Sequence, residues 1–304
     1  MSQAERGISE RLGRYFRTNS PYIGYPQRFV RIAMEKVITP FLNTRILNSE
    51  RLKEADRLLK SGVGLVINAN HISKRETFEI FRFPFATPEM RKRECAVLVA
   101  LHQQGLQAEI PSALAHSKIL YIPTDQTKEE FAKQGKTVSR KEEVEMLTRA
   151  MDDASEILEN GGFVILFGQG SRRPNLYDPN NPRALYTLYN RACIRAHKRE
   201  QEEPNFGIMC IAVEVGQENL SPGNFDDTEN EDGEVIKKGF KNRVNRSTLY
   251  TYHIGHANSV GALLEKAGGK PQRLDGVCLD EIASLLLPGS DYTDKSRLLE
   301  AEVF

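Results

Sequence analysis

Two short segments combine residue types that do chemistry with signs of a strand end. The first is Asn70-His71-Ile-Ser-Lys-Arg-Glu76, which follows the glycine-flanked apolar run through Ile67. Functional residues of α/β proteins collect where strands end at their carboxyl side. His71 and Glu76 are five positions apart, about one and a half helical turns. A nonhelical first residue or two lets Glu76 fold back to a ring nitrogen of His71. The imidazole is then held in one tautomer, and its other nitrogen can take a proton from a substrate hydroxyl. Such a base with its orienter, and no protein nucleophile, suits direct attack by a bound alcohol. The same spacing also fits a plain helix start, with His71 bonded locally and Glu76 a solvated first-turn acid.

The second segment is Phe167-Gly-Gln-Gly-Ser-Arg172-Arg173-Pro174, after the apolar run Phe163 to Leu166. Gly168 and Gly170 permit close backbone approach, and Ser171 offers a donor. Arg172 and Arg173 can bind phosphate through paired hydrogen bonds. A turn built only for geometry accounts for the glycines and leaves the arginine pair unexplained. The segment lacks the lysine of a Walker loop, and there is no G-x-S-x-G. Nucleotide triphosphate binding and serine hydrolysis are therefore disfavoured.

The elements that must position these segments read as an α/β alternation. Strands are expected at Val63–Asn68, Ala96–Leu101, Ile119–Ile122, Phe163–Phe167, Ile208–Val215 and Leu249–His253. Most are apolar on both faces, as buried strands of a parallel sheet are. The clearest helix spans Lys141 to Asn160. Ser139 and Glu142 form its capping box, and Val144, Leu147, Met151, Ala154 and Leu158 form its apolar stripe. Further helices fit Ser49–Leu59, Arg75–Phe83, Arg183–Lys198 and Ser259–Ala267. The expected fold is α/β, a mostly parallel mixed sheet flanked by helices. Residues 1–45 read as an N-terminal helical extension or cap, and 46–304 as the α/β domain.

Of the 304 residues, 42 are basic and 41 acidic, so bulk charge does not recruit a polyanion and nucleic acid is not an expected partner. Charge is nonetheless uneven. Residues 1–60 hold twelve bases against six acids, interleaved with Tyr15, Phe16, Tyr22, Tyr25 and Phe29. This region fits either peripheral contact with anionic lipid or packing of a cap on the sheet. Residues 217–234 contain seven acids and no base, the pattern of a solvated loop. The run Arg91-Lys92-Arg93 reads as a solvated helix end, or as a dock for an acidic carrier or the phosphates of coenzyme A. Cys95, Cys193, Cys210 and Cys278 form no C-x-x-C pair, which suits thiols in a reducing compartment. No metal-ligand spacing, signal peptide or membrane-length apolar run is visible. A cytoplasmic protein, peripheral at the inner membrane face if lipid is its partner, is the expectation.

Taken together, Asn70-His71-x4-Glu76 and Phe167-Gly-Gln-Gly-Ser-Arg172 resemble the blocks of the glycerol-3-phosphate/lysophospholipid acyltransferase superfamily. There the first block is Asn-His-x4-Asp and the second is typically Phe-Pro-Glu-Gly-Thr-Arg. Lys118 to Asp125 falls where an intermediate block should lie, and Ile208 to Val215 resembles the next strand. The order covers roughly residues 50–255 and is most like that of the soluble plastid-type glycerol-3-phosphate acyltransferases. The resemblance implies an acyl thioester co-substrate, acyl-CoA or acyl carrier protein, an alcohol acceptor, and no cofactor or metal. It implies His71 as general base and Glu76 as its partner. Gly170, Ser171, Arg172 and Arg173 would bind substrate, with Lys128 assisting at the acceptor phosphate. Glu76 stands for the usual Asp, and Gly168-Gln169 for Pro-Glu. Asp125-Gln126-Thr127 stand where the soluble branch carries basic residues. These departures leave room for a lysophospholipid or unphosphorylated alcohol as acceptor, or for a lipid-binding homologue with impaired turnover.

Overall fold

A computed structural model describes residues 44–71, 86–101, 117–135, 137–168, 184–201, 203–215, 225–229, 235–240 and 249–286. The described strands are β1 (Thr44–Leu47), β2 (Gly64–Ala69), β3 (Cys95–Ala100), β4 (Ser117–Ile122), β5 (Phe163–Phe167), β6 (Phe206–Val215), β7 (Phe225–Glu229), β8 (Val235–Phe240) and β9 (Tyr250–Ser259). The described helices are α1 (Leu52–Lys60), α2 (Asp125–Lys133), α3 (Arg140–Glu159), α4 (Ala184–Lys198), α5 (Val260–Lys266) and α6 (Leu274–Leu285).

Seven strands form one sheet in the order β1-β9-β6-β2-β5-β3-β4. β2 runs parallel to both β5 and β6, and β3 parallel to β4 and β5. Only β9 runs antiparallel to its neighbour β6, while β1 follows β9. The fold is therefore the expected mostly parallel mixed sheet. Every residue of β2 is buried, as are the first five of β3 and the first four of β5. Helices account for this two-sided burial. Gly64 and Gly207 sit on opposite faces by register, and Gly64 meets Leu158 of α3 while Gly207 meets Leu58 of α1.

Most expected boundaries agree within two residues, and three differences have physical causes. First, β9 continues six residues past His253 because β6 offers it a long antiparallel edge. Second, Val144 is 56% exposed, so the apolar stripe of α3 reaches the core only further along. A 20-residue helix is about 30 Å long, whereas a six-residue strand spans only about 20 Å, so the first turns overhang the sheet. Third, the acidic stretch expected to be a loop contains β7, which pairs with β8. Their register pairs Phe225 with Phe240 and Thr228 with Lys237, so consecutive strands meet antiparallel and backbone hydrogen bonds account for the element.

The helix Arg75–Phe83 lies outside the described residues, and so does the N-terminal extension except for Thr44 and Arg45, which begin β1. Among the described residues no helix is long and apolar enough to cross a membrane.

Candidate active site

The carboxyl end of β2 lies between those of β5 and β6, with Ala69 in register with Phe167 on one side and Ile211 on the other. β2 stops at Ala69 while β6 runs on to Val215, so the peptide groups of Val213 facing β2 have no strand beside them. Asn70 supplies the missing partner. Its Nδ2 donates to the Val213 carbonyl at 2.8 Å, and its Oδ1 accepts from the Val213 N–H at 2.6 Å. The side chain is fully buried and acts as one more strand residue, which fixes where His71 begins.

His71 is half-buried. Its ring stacks on Phe167, with centroids 4.5 Å apart and planes inclined by 30°. Strand alternation explains the contact. Ala69 and Phe167 are register partners and share a face, and His71, two residues beyond Ala69, returns to it. The two segments singled out in the sequence, about a hundred residues apart, thus meet ring to ring.

Asn68 belongs to the opposite face, in register with Leu166 and Cys210. Its Oδ1 accepts from the Gly168 N–H at 2.9 Å. That bond identifies the oxygen end of the amide, and Nδ2, also buried, has no acceptor among the described residues. An unmet buried donor costs about 1–3 kcal/mol. The approach is close: a Cβ at Gly168 would lie 2.4 Å from Asn68 Oδ1, so a larger residue there would displace the amide.

Glu76, Gly170, Ser171, Arg172 and Arg173 lie outside the described residues. Lys128 lies on α2, with Nζ 2.9 Å from Glu143 Oε1 of α3. α2 follows β4, three strands from β2, about 14 Å across the sheet at ordinary strand spacing. In the basic run near residue 92, Lys92 pairs with Glu89, whereas Arg93 Nη2 donates to the Leu59 carbonyl at 2.7 Å. Arg93 is thus a brace for the end of α1 rather than a solvated charge.

A second histidine–carboxylate pair escaped the sequence reading. His253 Nε2 of β9 lies 3.4 Å from Glu214 Oε2 of β6, and their side chains are only 4% and 12% exposed. Ala212 is the register partner of His253, so the pair occupies the Asn68 face. A charged residue within the apolar run Ile208 to Val215 was the one available signal. Burial pushes the Cys95 thiol up to about 12. A hydrogen bond with Cys210, reinforced by burial, holds Cys278 well above the ordinary thiol range. Among the described residues there is no group of three side chains that could hold a metal ion.

Neither protein-family models nor curated proteins match this sequence. The functional reading accordingly rests on the residues themselves and on how the sheet places them.

Proposed function

We propose that this protein is an O-acyltransferase that moves a fatty acyl group from acyl-CoA or acyl carrier protein to glycerol 3-phosphate, with His71 as general base. The observation that carries the reading is the meeting of His71 with Phe167 at the carboxyl edge of β2 and β5. The His71 side chain is half-buried there, whereas that of His253 is enclosed. The acceptor hydroxyl gives its proton to His71 as its oxygen attacks the thioester carbonyl carbon. Collapse of the tetrahedral intermediate breaks the carbon–sulfur bond, and the departing thiolate takes the proton from the imidazolium. Glu76 orients the ring. Because the Gly168 N–H is committed to Asn68, the donors to the developing oxyanion are assigned to the N–H groups of Gly170 and Ser171. Arg172 and Arg173 hold the acceptor phosphate. The reaction belongs at the cytoplasmic face of a membrane, where the aromatic and basic N-terminal region meets anionic lipid.

Lys128, paired with Glu143 on a helix that follows β4, three strands from β2, stands apart from His71 and adds little to a phosphate-binding set there. This favours, as a second reading, transfer to a lysophospholipid or an unphosphorylated alcohol.

The test is thiol release from acyl-CoA and acyl carrier protein, with each acceptor class, by the wild type, His71→Ala and His253→Gln. Loss of at least a hundredfold in His71→Ala alone is expected. No release with any acceptor removes the enzyme reading, and release insensitive to His71→Ala removes the mechanism. Activity that prefers a lysophospholipid to glycerol 3-phosphate, or that accepts unphosphorylated alcohols and ignores Arg172→Ala, selects the second reading.

A further inference from the structure

We infer that Asn68 is a positioning residue for His71, acting through the turn at Gly168; this rests on the reading of His71 as the base. Two features of Asn68 run against a purely structural role. Its amide is 1% exposed yet leaves Nδ2 without an acceptor among the described residues, so an apolar side chain would suit the site better. Its Oδ1 also lies 2.4 Å from where a Cβ at 168 would stand, so the amide keeps this position only beside a glycine.

Its one hydrogen bond runs to a telling place. The Gly168 N–H lies in the peptide plane that it shares with the Phe167 carbonyl. Pinning that plane from Asn68 Oδ1, at 2.9 Å, fixes ψ of Phe167 just past the last ladder pair of β2 with β5. The aromatic ring against which His71 lies, 4.5 Å between centroids, is thereby held at its backbone. Three residues of one strand end divide the work. Asn70 fixes the chain on the β6 side through Val213, Asn68 fixes the β5 side, and His71 sits against the surface they define. Misplacement of a reacting group by about 1 Å can cost about a hundredfold in rate, so a turn-anchoring amide has a direct route to activity.

The test follows the His71 imidazole Cε1–H resonance, assigned by its loss in His71→Gln. Stacking on Phe167 shields this proton, and Phe167→Leu supplies the unstacked position. Asn68→Ala is expected to move the resonance more than half-way to that position. Asn68→Asp keeps an acceptor for Gly168 and is expected to stay near the wild type. Gly168→Ala breaks the same bond from the other end and serves if Asn68→Ala does not fold. With acyl thioester and acceptor, Asn68→Ala should lower kcat about tenfold with acceptor KM within about twofold, and Asn68→Asp should recover most of it. A resonance unmoved by both Asn68→Ala and Gly168→Ala overturns the inference. So does Asn68→Asp moving as far as Asn68→Ala, or a wild-type resonance already at the Phe167→Leu position. A wild type inactive with every acceptor removes the acyl-transfer reading, while the resonance still decides the positioning role.

Discussion

Asn70 and Val213, 143 residues apart, exchange two hydrogen bonds at 2.8 and 2.6 Å. A side-chain amide thereby continues the ladder between β2 and β6 beyond the last residue of β2. The exchange consumes both ends of the amide, and neither end tolerates reversal.

Asn70→Asp keeps an acceptor for the Val213 N–H but sets a second oxygen against the Val213 carbonyl. Urea unfolding should show a loss of about 3 kcal/mol, and Asn70→Ala a loss of about 2 kcal/mol. If Asn70→Asp matches the wild type, the two-bond exchange is not what holds this edge.

Asp275 of α6 caps the neighbouring helix. Its two carboxylate oxygens accept from the N–H groups of Leu185 and Tyr186 at 3.1 and 2.8 Å, at the start of α4. The negative charge also faces the positive end of that helix. Asp275→Ala should lower stability by about 2 kcal/mol, and Asp275→Asn by less, since one oxygen remains. Thermal unfolding of the three proteins at one pH makes the comparison.

Glu54 carries a pH dependence of definite sign. Burial raises its pKa, but the Ala257 N–H and the His256 side chain outweigh that, and the net shift is downward from 4.5. A carboxylate with a lowered folded pKa contributes stability above its unfolded pKa, lost as pH falls through the folded one. The stability difference between wild type and Glu54→Gln should therefore shrink as pH falls below about 4.5. The exposure of the site keeps the effect small. A difference that grows on acidification contradicts the assignment.

Gly64 opens β2 where α3 crosses the sheet. A Cβ there would lie 2.2 Å from the Leu158 carbonyl oxygen, a backbone atom that cannot swing away. Gly64→Ala should cost about 2 kcal/mol or more in urea unfolding, although alanine is ordinarily harmless in a strand. An unchanged midpoint would mean that α3 packs further from β2.

Features set by near neighbours were legible in the sequence. The Ser139–Glu142 capping box forms as expected, with Ser139 Oγ accepting from the Glu142 N–H at 3.2 Å and Glu142 Oε2 accepting from the Ser139 N–H at 2.9 Å. The doubly apolar runs became the buried parallel strands, and His71 and Gly168 follow strand ends. The hairpin of β7 and β8, the start of β1 and the cap that α6 gives α4 were not legible. The start of β1 and the cap depend on groups meeting across long separations, and the hairpin is held by backbone pairing between polar segments that show no side-chain period.

By itself, then, the sequence determined the core strands β2, β3, β5 and β6 and the long helix α3, because periodicity and capping act within a turn or two of chain. It also determined that a histidine and a glycine-rich turn each follow a strand. Only the tertiary structure decided that β2 lies between β5 and β6, and so that His71 rests on Phe167, Asn68 reaches Gly168 and Asn70 reaches Val213. The physical reason is that sheet order and register arise from the packing of the whole apolar core. Which polar atoms become neighbours at the strand ends follows from that packing, and spacing along the chain carries no trace of it.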